Sequence, residues 1–287
     1  MTLSRCAVLF ALVAATGLAT TGIQRRIGAG LQLGGTPVPA SRAILSEHEL
    51  EEIHAMPAQE QVRRLLERAV NGYKGALEEI EKRVGDWTGK IELNDKLNAL
   101  TSVAYCSSNL RVRAAAVEIS LAGYGLTKDS GSLSVQLELL RGNTEKKKFF
   151  PLWKLGLLGN RGVEPDTVRR VLVEYLRDPE QVNRTWAVNA LGILGSDEAI
   201  EPLLETFRND PSPEVRERAA CNLADAGMFT RDQRRKAIPQ LLTMMDDDGV
   251  DAQTRGWVFQ ALREISGESI GASPAAWRTW WAVAHRE

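Results

Sequence analysis

The sequence predicts an all-α protein in which helical hairpins stack as an α-solenoid between an N-terminal and a C-terminal cap. Three observations predict it. A helical phrase is repeated, because Arg184 to Gly195 and Arg216 to Gly227 superpose Ala187 on Ala219, Leu191 on Leu223 and Leu194 on Ala226 after 32 residues. A unit recurring at that length marks a solenoid. The phrase extends to five copies, anchored at Gly123, Gly159, Gly195, Gly227 and Ser266, with spacings of 36, 36, 32 and 39 residues. Within a copy the apolar positions fall on one helix stripe at i, i+3, i+4 and i+7, as in Ala187, Ala190, Leu191 and Leu194, or Val258, Ala261, Leu262 and Ile265. Small residues early in the stripe let a neighbouring helix approach closely. One turn outside it stand Lys148, Arg184, Arg216 and Arg255, where a long cation can lie over the next repeat.

The phrases D-P-S-P-E-V-R-E-R-A-A (Asp210 to Ala220) and D-P-E-Q-V-N-R-T-W-A-V-N-A-L-G-I-L-G (Asp178 to Gly195) resemble bacterial HEAT repeats, also called phycobilisome-lyase HEAT-like repeats. The resemblance covers about Leu110 to Trp281. The chain is also similar to bacterial HEAT-repeat proteins that end in G-x-x-P-A-A-W-x-x-W-W, here Gly271 to Trp281. That resemblance implies a curved solenoid used for macromolecular contact, usually without catalysis. Lys154 at a stripe position and Gly162 close after the turn depart from the pattern in the first copies.

Residues 1–19 read as a signal peptide: Arg5 precedes an apolar run from Cys6 to Ala19, and Gly17-Leu18-Ala19 supplies the small residues a signal peptidase needs. The expected location is periplasmic or extracellular. The alternative is a membrane anchor over residues 6–23, lengthened by Thr20 to Ile23 before Arg25 and Arg26. Leu3-Ser4-Arg5 lacks the residues a lipobox carries upstream of Cys6. Residues 20–45 are rich in Gly and Pro and without period, as a flexible tether would be.

Residues 46–109 form the expected N-terminal helical cap, which shields the first core face of a stack from water. Ser46 and Glu49 have the spacing of a capping box, Pro57 interrupts the run after His54, and the period that continues past Gly72 and Gly75 fits either a broken long helix or a pair of helices. Gly85 to Gly89 is a turn and Leu93 to Cys106 the next helix. Residues 110–270 hold the HEAT-like repeats, with second helices at Thr167 to Leu176, Ala199 to Phe207 and Gln233 to Met245. Pro239 lies too deep in the last of these for an unbroken helix, so a break or a late start is expected at Ala237. Residues 271–287 form a Trp-rich capping helix, with Ser273 as its cap, Pro274 at its first position, and Trp277, Trp280 and Trp281 on one face to seal the stack.

Composition excludes some functions. A formal charge of −1 over 287 residues gives no basic patch for nucleic acid. His48 and His54 stand about 240° apart on a helix, and H-E-L-E-E-I-H is not H-E-x-x-H, so no metal is expected and both read as solvated. Asp246-Asp247-Asp248-Gly249 lacks the alternating ligands and closing Glu of a calcium loop. Cys106 and Cys221 read as buried free thiols, with a bridge conceivable in an oxidising compartment. Gly28-Ala29-Gly30 has no dinucleotide-loop context, and no nucleophile elbow or phosphate loop is present, so no cofactor and no catalytic set are expected. Trp186 and Trp257 recur at one structural position and read as packing between repeats.

The expected partner is a protein or peptide. By HEAT analogy the exposed positions of the second helices line the concave face, and the candidates are Arg169, Arg170, Glu174, Glu201, Glu205, Arg208, Arg235 and Gln240. Their mixed signs suit a polar protein better than phosphates. The leading expectation is an exported, non-catalytic scaffold. The alternatives are a cofactor-handling or lyase-like subunit built on such repeats, and a membrane-tethered assembly factor.

Overall fold

The computed structural model describes residues 44–142 and 148–284. The expected signal peptide, the tether up to residue 43 and His285 lie outside the described residues. Among the described residues the chain is helical throughout, apart from turns and one bridge between Ile44 and Lys74. Contacts divide it into two compact units, one ending at Leu126 and one beginning at Thr127.

The first unit contains α1 (Glu47–His54), α2 (Ala58–Val70), α3 (Ala76–Arg83), α4 (Asp95–Tyr105) and α5 (Leu110–Gly123). Ser46 caps α1 by accepting from the Glu49 N–H, but the Glu49 carboxylate pairs with Arg68 Nε at 2.6 Å instead of closing the capping box. Gly72 and Gly75 both adopt positive φ, 77° and 91°, and this separates α2 from α3 into a pair of helices. Val62, Leu65, Leu66 and Ile80 are fully buried, as the helical period requires. Leu45 is buried too and donates its N–H to the Lys74 carbonyl, so the cap begins inside the segment expected to be tether.

His54 is not simply a solvated surface residue. Its Nε2 lies 2.8 Å from Glu79 Oε1, which also takes Arg83 Nε at 2.6 Å. Arg83 reaches the Gln61 side-chain oxygen, which also accepts from the indole N–H of buried Trp87. A buried carboxylate needs such partners. Burial raises the Glu79 pKa, but the hydrogen bonds from Arg83 and His54 outweigh it and hold the carboxyl below its ordinary value.

The first copy of the repeated phrase, α5, packs within this unit, which runs to Leu126. Packing explains it. The Tyr105 hydroxyl lies 2.9 Å from Ser120 Oγ, Arg111 pairs with Glu78 and Glu81, and a Cβ on Gly123 would stand 2.7 Å from Leu93 Cγ. Cys106, at the C-cap of α4, is half-buried, which corrects the expectation of a buried side chain. Cys221 is half-buried and outside any disulfide.

The second unit contains α6 (Ser130–Gly142), α7 (Phe149–Asn160), α8 (Pro165–Tyr175), α9 (Gln181–Leu194), α10 (Ile200–Asn209), α11 (Pro213–Cys221), α12 (Arg231–Arg235), α13 (Ile238–Met244), α14 (Ala252–Ser266) and α15 (Pro274–Ala284). The repeated phrases are α7, α9, α11 with its continuation, and α14. These pack on one another in sequence order. Small residues permit this: a Cβ on Gly156 would stand 2.7 Å from the Ala190 carbonyl oxygen, and one on Gly192 would overlap the Asn222 side chain.

Two anchor glycines are needed for different reasons. Gly195 ends α9 at φ +67°, the left-handed conformation of a helix C-cap. Gly227 has an ordinary φ of −77° but lies against two carbonyls, where a Cβ would be 2.8 Å from Asn222 O and 2.9 Å from Gly192 O. Before it, Asn222–Ala226 widens into a π-helical turn. The buried Arg234 satisfies that region by donating to the carbonyls of Leu223, Asp225, Gly227 and Phe229 at 2.8–3.2 Å.

The second helices break and start where proline directs. Pro165 sits at the start of α8, and the interval between α12 and α13 at Lys236–Ala237 is the break that Pro239 predicts. Of the cations outside the stripe, Arg184 and Arg216 lie over the following repeat, whereas Arg255 turns back to the carbonyls of Asp247 and Val250. Arg184 holds both carboxylate oxygens of Asp210, at 2.8 and 3.1 Å, and Arg216 reaches Asp251 and Thr254, both at 2.9 Å. Trp186 packs between Phe149 and Trp153, with ring centroids 5.8 and 5.9 Å away.

The terminal seal is made by one indole rather than three. Trp277 is fully buried and donates to the Gly271 carbonyl at 3.0 Å, while Trp280 and Trp281 remain half-buried. An i, i+3, i+4 set spans a wide arc, and only its first member is fully buried, while Trp281 borders Pro239 and Leu242.

Candidate functional site

In the second unit the phrase helices close on one another, whereas the second helices stand apart. The stripe of α7, α9 and α11 carries Gly and Ala where the rows meet. On the other side Val173, Leu176 and Pro202 present bulk to a gap, which the Asp-Pro turns at Asp178-Pro179 and Asp210-Pro211, each just past the C-terminus of a second helix, also line. The result is a cleft of about 720 Å³ between α8 and α10. Its volume lies within the range of small-ligand and peptide side-chain sites.

Two of the candidate residues enter this cleft, Glu201 and Glu205, one helical turn apart on α10. Glu201 accepts from the Gln240 amide of the next second helix, and Glu205 accepts from Asn209 at 2.8 Å. Gln240 thus belongs to the cleft's rim through Glu201. Arg208 faces the other way and pairs with Asp247 beside a second cleft of about 710 Å³, lined also by Pro239, Leu242, Arg278 and Trp281. The Gly249 N–H and the Arg208 guanidinium hold the Asp247 carboxyl below its ordinary range.

The remaining candidates stay outside both clefts. Arg169 lies 3.8 Å from Asp166, Arg170 donates to Thr167, Glu174 is exposed on α8, and Arg235 is half-buried on α12. The cleft residues outside the candidate set include Val173, Leu176, Arg177, Asp178 and Asp210. The signal that could have found them is the recurring Asp-Pro pair, which fixes where a second helix stops.

Charges in the floor are spoken for. Arg184 is 10% exposed and Asp210 3% by side chain, and the remaining guanidinium nitrogen of Arg184 donates to the Asp178 carbonyl at 3.0 Å. Asp178 accepts from the Glu180 N–H and the Asn183 amide. Among the described residues no group of three or more His, Cys, Asp or Glu is placed to hold a metal ion. No described helix is long and apolar enough to cross a membrane.

Residues 137–224 match the family model of HEAT repeats, which spans α6 to the π-helical turn and so includes the cleft. With the all-helical fold, this match supports a HEAT-repeat protein. No curated protein matches the chain.

Proposed function

We propose that this chain is an exported, non-catalytic scaffold that holds a protein or peptide partner on the second-helix face of residues 127–284. HEAT repeats commonly serve as protein-interaction scaffolds. The observation that carries the reading is the cleft between α8 and α10, open on the second-helix side of a stack whose phrase helices are shut. It presents carboxylates, guanidiniums and prolines on rigid elements, a surface suited to a polypeptide. Export is supported by Arg5 followed by the apolar run from Cys6 to Ala19.

The test is to recover the full chain from its native cell envelope, determine its N-terminus by mass spectrometry and identify co-purifying proteins. The same is done for the variant E201K/E205K, whose melting temperature should match the wild type because both side chains are exposed. A start near Thr20 and a partner lost in the variant are the expected results. A partner that survives the substitutions moves binding off this face, and a chain that brings down no partner defeats the scaffold reading. An intact Met1 in the membrane fraction replaces export with tethering by residues 6–23.

A further inference from the structure

Resting on that reading, we infer that the cleft between α8 and α10 takes the basic side chain of a partner peptide, set between apolar neighbours. Four carboxylates line the cleft, those of Asp178, Glu201, Glu205 and Asp210, against two guanidiniums, Arg177 and Arg184. The excess is negative, and its location is specific. Asp210 is neutralised in place by Arg184, and Asp178 is occupied by turn donors. Glu201 and Glu205 receive only the neutral amides of Gln240 and Asn209. Neither carboxylate forms a described ion pair, and Arg177 is the one cation of the lining not already held by Asp210, so the two glutamates, about one helical turn apart, leave a net negative rim.

Below them Val173, Leu176 and Pro202 form an apolar wall. A Lys or Arg side chain fits this arrangement, because its methylene stem lies along apolar surface while its charged head stays at a polar rim. An acidic peptide would meet two like charges, and a wholly apolar one would strip water from two carboxylates without replacing its hydrogen bonds. Pro179 and Pro211 in the lining carry no N–H, so they offer rings rather than backbone donors, and their turn carbonyls are taken by Arg184 and Arg216. The acceptor capacity left in the cleft is that of Glu201 and Glu205, and the ligand they complement donates hydrogen bonds.

The experiment is selection of a displayed random 12-residue peptide library on the immobilised full chain, followed by fluorescence anisotropy with the enriched peptides. The expected result is enrichment of Lys or Arg flanked by apolar residues. Affinity for those peptides should fall about tenfold in E201Q/E205Q, the scale of two partly exposed charge pairs. The reversed variant E201K/E205K should prefer a synthetic peptide in which the basic residue is replaced by Glu. Circular dichroism and melting of each variant confirm that the fold is kept. Enriched peptides without a basic residue, or with affinity unchanged in E201Q/E205Q, overturn this inference while leaving the scaffold reading in place. If no peptide is enriched and no partner co-purifies from the envelope, both fail together.

Discussion

Two successive repeats use the same device with different energetic weight. In one, Arg184 reaches forward to Asp210 with both groups almost wholly buried. In the next, Arg216 reaches forward to Asp251, whose side chain is 52% exposed. The sequence places each arginine at the same distance from its anchor glycine, so the difference lies in what covers the aspartate. Asp210 is enclosed by the turn between α10 and α11, where it also accepts the Ser212 N–H at 2.8 Å. Asp251 stands at the N-terminus of α14, capping the Thr254 N–H at 2.9 Å with solvent on one side. A buried pair is costly to break and an exposed one is nearly neutral, so equal positions in a repeat do not imply equal contributions.

The largest break is Asp210→Ala, which leaves a buried guanidinium and an uncapped turn. It should cost about 3–5 kcal/mol in urea unfolding. The double variant R184M/D210N should recover most of that loss, because the orphaned charge goes with its partner. A loss under about 1 kcal/mol for Asp210→Ala would erase the distinction between the two repeats.

Next in size is Arg234→Met, which removes a buried cation held by carbonyls rather than by an aspartate. Unmatched buried acceptors around the π-helical turn should cost about 2–3 kcal/mol, and hydrogen exchange should rise first in residues 222–229. Unchanged protection there would show that the turn holds without the guanidinium.

Asp251→Ala should cost about 1 kcal/mol, mostly the lost helix cap, whereas Asp251→Asn, which can still cap, should cost less. The Asp251→Asn loss isolates the ion pair with Arg216 and should shrink as salt is added, while the difference between the two variants isolates the cap. Equal losses for both would mean that the pair carries the whole effect.

The smallest effect tests a third setting, Glu79 in the first unit, a buried carboxylate shared by Arg83 and His54. Its pKa is lowered on folding, so its stabilisation is fully present above the unfolded value, about 4.3, and is lost as pH falls through the folded value. The melting temperature should therefore drop on acidification below about pH 4, and less so in Glu79→Gln. Parallel pH profiles for the two proteins would remove Glu79 from the account.

Much of the fold was legible because helical period and proline chemistry act locally. The stripes ending at Gly195 and Ser266 and the break at Ala237 follow from side chains within a few turns of one another. The candidate face was legible in part: Glu201, Glu205 and Gln240 belong to the cleft or its rim, but Arg169, Arg170, Glu174 and Arg235 do not. Exposure on a second helix is a one-dimensional property, and a cleft needs the spacing of two helices.

The sequence by itself determined that this chain is helical, where its hairpins repeat and which positions are apolar or charged, since each depends on neighbours along the chain. Tertiary structure alone decided that the first copy of the phrase packs into the other unit, that one tryptophan of three seals the end, and that Asp210 is buried while Asp251 is not. Those outcomes depend on which surfaces meet, and residues far apart in the chain set that distance.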